Sequence, residues 1–120
     1  MNAYVDDAGR ALVTVLIRQS DVSGPREIKA WIDTGFTGEL VLPQRLIEEM
    51  CLPQSGTVTA VLADGSQITL TRYTCLIEWF GDSRGLEVIA NDGEYPLLGV
   101  GLLLGHDLYV SYRNGAIKFD

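Results

Sequence analysis

One tripeptide constrains this chain more than any other feature. Asp33-Thr34-Gly35 lies between Ile28-Lys29-Ala30-Trp31-Ile32 and Glu39-Leu40-Val41-Leu42-Pro43. An apolar run delivers a carboxylate into a tight glycine turn, and a second apolar run leads away from it. Thr37 and Gly38 lengthen the turn. Asp and Gly are common in ordinary turns between strands, so the tripeptide acquires meaning only from what surrounds it.

Length and composition restrict that context. With 120 residues and a hydrophobic fraction of 47%, residues 1–120 form one domain with a real core rather than a disordered chain. The net charge is −7 and no basic cluster occurs, which argues against nucleic acid or an anionic membrane as partner. No apolar run reaches the length of a membrane span. Met1 to Arg10 holds three charged residues and no apolar stretch, so no secretory signal is expected there. A cytoplasmic protein is the expectation, with Cys51 and Cys75 as reduced thiols in or near the core. The cysteines lack C-x-x-C spacing and the chain has a single histidine, so no redox or zinc motif and no His-based metal site are expected.

The chain reads as mostly β with short helices. Ala11 to Ile17 and Ile28 to Ile32 are strands, separated by a loop at Ser23-Gly24-Pro25. Pro43 to Met50 is the best helix, with proline in its first turn and Leu46, Ile47 and Met50 on one face. Thr57 to Leu62 and Gln67 to Thr74 form a hairpin around Ala63-Asp64-Gly65-Ser66, since Asp-Gly between β-rich runs is a strong turn signal. Cys75 to Phe80 and Leu86 to Ala90 are two further strands around the turn Gly81 to Gly85. Leu97 to Leu104 is nearly all apolar and must be buried, its second half a short helix stopping at Gly105. Leu108 to Tyr112 and Ala116 to Phe119 close the chain as a hairpin across Asn114-Gly115, the pair that a tight primed turn prefers.

Three elements in a fixed order then carry a resemblance: Asp33-Thr34-Gly35, the hairpin tip Ala63-Asp64-Gly65, and Leu97-Leu98-Gly99 before an apolar helix. Order and spacing together resemble the retropepsin-like aspartic proteases, including small single-domain bacterial members, over roughly Ala11 to Phe119. The resemblance implies an all-β, acid-protease half-barrel with one or two short helices. Its active site would lie on the two-fold axis of a homodimer, because the chain supplies one Asp-Thr-Gly and the chemistry needs two carboxylates. Asp33 would be the catalytic carboxylate, Thr34 would grip the partner loop across the axis, and Gly35 would permit the turn. Ala63, Asp64 and Gly65 would form a flap over an extended peptide substrate. Leu97, Leu98 and Gly99 would support the loop from beneath. The family needs no metal or cofactor. Leu108 to Phe119 would supply strands for dimerisation.

Two positions depart from the family pattern. Phe36 stands where Ala or Ser usually follows Asp-Thr-Gly, and Gly101 stands where Asp or Asn often anchors the helix. Phe36 keeps a second reading open, a catalytically inactive module for dimerisation or peptide binding. Another motif, Gly81-Asp82-Ser83-Arg84-Gly85, matches G-x-S-x-G, with Asp92 and His106 following. A nucleophile elbow needs a helix after the serine. Leu86 to Ala90 reads as a strand, so a polar turn is expected instead. His106 is read as a residue beside a helix end, favourable to its dipole.

Overall fold

The architecture follows from how the strands alternate. In the computed structural model, which describes residues 2–120, ten strands and two short helices run in the order β1 (Ala3–Val5), β2 (Ala11–Arg18), β3 (Arg26–Ile32), β4 (Leu40–Pro43), α1 (Gln44–Met50), β5 (Gln54–Val61), β6 (Gln67–Trp79), β7 (Asp82–Asn91), β8 (Leu97–Leu98), α2 (Val100–Leu103), β9 (Leu108–Val110) and β10 (Ile117–Phe119). Along β3, Ile28, Ala30 and Ile32 point inward while Glu27, Lys29 and Trp31 point out, the period-two pattern of a half-buried strand. Strand β2 is buried along most of its length, because Ala11, Val13, Val15 and Ile17 face the core and Leu12 is covered as well.

Eight strands make one sheet in the order β1-β2-β3-β8-β4-β7-β6-β5, and a further pairing of β2 with β6 closes it into a barrel. The closing register runs Leu16 to Glu78, Ile17 to Ile77 and Arg18 to Leu76. Closure covers the edges that β2 and β6 would otherwise expose, and leaves β1 and β5 as the terminal strands. Val13, Ile17, Leu40, Leu42, Ile77, Val88, Leu98 and Leu102 fill the interior. Among the described residues no polar or charged side chain is buried. Strand β5 and the first half of β6 leave the barrel as a projecting hairpin, with a β-bulge between Gln54 and Gly56 at its root. Among the described residues, no helix is long and apolar enough to cross a membrane.

Several sequence expectations are corrected here. Two strands were expected between Gln67 and Phe80, but β6 runs unbroken to Trp79, its outer half exposed and its inner half in the barrel. The turn after it is Phe80-Gly81 alone, since Trp79 pairs directly with Asp82. Both turn residues adopt positive φ, 50° at Phe80 and 84° at Gly81, as a two-residue primed hairpin requires. A bulky residue is strained there. The Phe80 ring offsets that strain by stacking on His106, with ring centres 4.2 Å apart, and by meeting Trp79 and Phe119 edge-on. Ser83 therefore lies inside β7, paired with Glu78, and no helix follows it. Asp92 follows the far end of that strand, about 30 Å away at 3.3 Å per residue. The G-x-S-x-G match is a strand.

The C-terminal hairpin forms as expected, but its turn spans Tyr112 to Gly115, not Asn114-Gly115 alone, because Ser111 and Ala116 are the residues bonded across it. The N-terminal segment, read from sequence only for its charges, contributes β1, which pairs with β2. Leu104 was expected to be buried and is 72% exposed, lying just past the end of α2. Pro43 ends β4 and precedes α1 rather than sitting within its first turn.

Cys51 was placed in or near the core and is exposed, because it terminates α1 in the left-handed conformation with its N–H donated to Glu48 O. Cys75 is buried, and burial, with a smaller contribution from the negative charge of Glu39, pushes its thiol up to about 12. The thiolate is the reactive species. At pH 8 a thiol reagent should therefore modify Cys51 alone in the native protein and both cysteines after denaturation. Peptide mapping of the labelled protein checks this, and fast native labelling of Cys75 would contradict the packing described.

Candidate active site

Strand β8 builds the site by inserting between two other strands. Leu97 and Leu98 pair in parallel with Trp31 and Ile32 of β3 on one side, and antiparallel with Val41 and Leu40 of β4 on the other. The loop joining β3 to β4 therefore has to arch over the end of β8. Leu98 is fully buried beneath it. Asp33 opens the loop directly after the buried Ile32.

Backbone hydrogen bonds pin that loop along its length. The Asp33 N–H donates to Leu98 O at 2.8 Å, and the Trp31 N–H donates to Pro96 O at 2.8 Å. Val100 N–H donates to Phe36 O at 2.8 Å, Gly101 N–H to Gly38 O at 2.9 Å, and Gly99 N–H to Glu39 O at 2.9 Å. Within the loop, Phe36 N–H donates to Asp33 O at 3.2 Å, and Gly35 N–H donates to Asp33 Oδ1 at 2.9 Å. One carboxylate oxygen of Asp33 is thus oriented by its own turn, and Asp33 is half-buried. Thr34 and Gly35 are exposed. A small hollow of about 240 Å³, lined by Trp31, Ile32, Asp33 and Leu97, opens beside the carboxylate.

Close approach explains the glycines. A Cβ at Gly99 would press on both the Gly38 carbonyl and the Phe36 ring. A Cβ at Gly101 would lie 2.9 Å from Gly38 O. The ring of Phe36 also covers Gly38. Phe36 therefore nests among glycines that leave room for it. Where the family places a polar helix anchor, Gly101 supplies a backbone N–H to the loop and no side chain.

The hairpin tip lies at the end of the projecting β5–β6 arm. Ala63, Asp64 and Gly65 are all exposed there, with Gly65 at φ 84°. Leu62 N–H donates to Ser66 O at 2.8 Å, and Asp64 Oδ1 accepts the Ser66 N–H at 2.9 Å and the Ser66 hydroxyl. A cleft of about 610 Å³ runs beneath the arm. Phe36 of the loop, Ala60, Ile68 and Leu70 of the arm, and Ile89 and Asn91 of β7 line it. The structure thus brings the loop and the arm to one cleft, while the tip residues themselves do not line it. The contribution of β7 was missed from sequence, since its alternating pattern marks a strand and nothing in it marks a cleft wall. Among the described residues, no group of His, Cys, Asp and Glu is arranged to hold a metal ion.

Solved structures share this arrangement. A retropepsin-like aspartic protease from Rickettsia conorii superposes with a TM-score of 0.64 at 14% identity, over 98% of this chain and 91% of that one. The EIAV protease, solved with the inhibitor HBY-793, gives 0.55 at 19% identity, over 78% of this chain and 85% of that one. The simian foamy virus protease gives 0.51 at 19% identity, over 76% and 91%. The fold is retropepsin-like. No protein-family model matches the chain, and no curated protein sequence matches it. At these identities the likeness belongs to the retropepsin-like backbone, and the chemistry has to be argued from the residues above.

Two measurements test the geometry. Gly99→Ala should destabilise the protein by roughly 3 kcal/mol, the upper range for a forced steric insertion. Phe36→Ala in the same chain should not restore stability, because the Gly38 carbonyl still blocks the added methyl; denaturant unfolding of both variants decides. The second measurement concerns Asp64, whose hydrogen bonds from Ser66 hold its carboxyl below its ordinary value of 3.8. A carboxyl with a lower folded than unfolded pKa contributes stability above the unfolded value, and that contribution is lost as pH falls through the folded one. Amide exchange at Ser66 should therefore quicken as pH is lowered below 3.8, relative to that at a β2 amide. Unchanged relative protection would contradict the carboxylate's role in the turn.

Proposed function

We propose that the protein is an aspartic endopeptidase, a single domain over residues 1–120 that acts as a homodimer. The observation that carries this reading is the Asp33 carboxylate, oriented by Gly35 N–H on a rigidly pinned loop of a retropepsin-like fold. The chain has one such loop, so the second carboxylate comes from Asp33 of a second copy. Two carboxylates around one water cannot both ionise comfortably, and they share a proton. The ionised one takes a proton from the water as it attacks the scissile carbonyl, and the protonated one hydrogen-bonds the carbonyl oxygen. Thr34, exposed beside Asp33, grips the partner loop across the axis, and Gly35 allows the turn. Leu97, Leu98 and Gly99 hold the loop in place.

The arm tipped by Ala63, Asp64 and Gly65 serves as a flap. An extended peptide lying in the cleft beneath it bonds through its backbone as an added strand. Closure of the flap excludes bulk water from the reaction. Dimerisation uses the end of the molecule that carries β9 and β10. Among the described residues this hairpin is joined to the barrel sheet by one bridge, Tyr4 with Ala116. Its strands therefore have backbone groups to offer a partner, and Leu104 and Tyr109 are exposed at this end. The two free thiols suit a reducing compartment, and the reading places the enzyme in the cytoplasm. It calls on no metal or cofactor.

The decisive experiment compares wild type with Asp33→Asn on a diverse library of unfolded peptides across about pH 3.5 to 7, the range in which carboxylate pairs titrate. Oligomeric state is recorded for each sample. Wild type should cleave with a bell-shaped profile, and the mutant dimer should lose at least roughly a thousandfold in rate, as expected when a catalytic group is removed. A confirmed wild-type dimer that cleaves nothing would favour the inactive peptide-binding module. A strictly monomeric protein would sink the shared site.

A further inference from the structure

We propose that Glu39 is a positioning residue for the Asp33 loop, holding the loop's trailing end against β7. This rests on the reading of Asp33 as the catalytic carboxylate. The leading and middle parts of the loop are tied to one side only, to Leu98, Val100 and Gly101. Among the described residues, Glu39 makes the side-chain hydrogen bonds that carry loop residues 33–39 to another element. Its Oε2 accepts from Arg84 Nη2 at 2.6 Å, and its Oε1 accepts the Glu87 N–H at 3.1 Å.

The second bond has a particular logic. Strands β4 and β7 pair in parallel from Leu40 with Val88 onward. The Glu39 carbonyl is turned toward Gly99 N–H. The carboxylate of Glu39 therefore supplies the acceptor for Glu87 N–H and extends the ladder past the point where the loop leaves it. Glu87's own carboxylate is taken up by Arg72 of β6, at 3.1 and 3.2 Å, so it does not compete for Arg84. Gly101 leaves the necessary space, since a Cβ there would lie 2.9 Å from Glu39 Cγ. The departure from the family's polar helix anchor and the presence of Glu39 are thus complementary: the helix holds the loop through main chain alone, and the side-chain brace comes from the strand side. An ion pair as exposed as Glu39 with Arg84 adds little to global stability, so its effect is on local geometry.

The test uses the full chain with Glu39→Ala and Glu39→Gln, since glutamine keeps an oxygen for the Glu87 N–H. Amide exchange read by mass spectrometry should show Glu39→Ala exchanging about fivefold faster at residues 33–38 and 99–101, with β1 and β2 unchanged, as a local opening requires. Glu39→Gln should stay close to wild type. On a cleaved peptide, Glu39→Ala should lower kcat about tenfold with little change in KM, and Glu39→Gln should recover most of it. Unchanged exchange in the loop, or faster exchange throughout the molecule, would overturn the proposal. If wild type cleaves no peptide, the catalytic reading of Asp33 fails while the exchange measurement still decides whether Glu39 positions the loop.

Discussion

The site depends on a backbone approach that side chains would forbid. The segment from Leu98 to Gly101 lies against the loop from Asp33 to Glu39 so closely that carbonyls and N–H groups bond directly across the gap. Gly99 and Gly101 face the Gly38 carbonyl with no room for a methyl group. The same contact lets β8 pair on both sides, with β3 and β4, and so joins the two halves of the barrel at the point where Asp33 emerges. At Asp33 itself the loop is held by main-chain hydrogen bonds, and the Glu39 side chain acts only at the loop's trailing end. This hold follows from the core, since Ile32, Leu40 and Leu98 anchor the three strands from below.

How far the sequence disclosed this varies with the kind of signal. Asp33-Thr34-Gly35 between apolar runs was legible because strand period and turn chemistry agree there, and the Asp64-Gly65 hairpin was legible for the same reason. Strand β6 was divided in two because its composition changes near Cys75: its outer half is polar in the projecting arm, and its inner half alternates Cys75, Ile77 and Trp79 into the core. One hydrogen-bonded strand crosses two environments, and composition reports environment. The Phe80-Gly81 turn was hidden because phenylalanine is a poor residue for positive φ, and its compensation comes from His106 and Phe119, far away in sequence. The Asn114-Gly115 pair signalled a turn correctly but not its length, which is set by the Ser111–Ala116 pairing.

The brace at Glu39 lay beyond sequence reasoning altogether. Glu39 reads as a charged residue at the edge of an apolar strand, Arg84 reads as part of the turn Gly81 to Gly85, and Glu87 lies in the strand that follows it. Their meeting depends on the parallel register of β4 with β7, a long-range pairing that no local pattern encodes. Gly101 looked like a missing anchor for the same reason, because the residue that occupies its space comes from the other side of the loop.

The bulge at the root of the projecting hairpin gives the arm a defined axis. Gly56 adopts φ 145°, and it sits where the register of β5 with β6 slips. From there to Val61 the strand is extended, a reach of about 17 Å at 3.3 Å per residue. A rotation of about 10° at the root would carry the end of that strand through roughly 3 Å, with the hydrogen bonds along the arm left intact. Were the arm to move over the cleft as a flap, a stiff ribbon turning about this root would suffice, and the interior of the barrel would not have to repack.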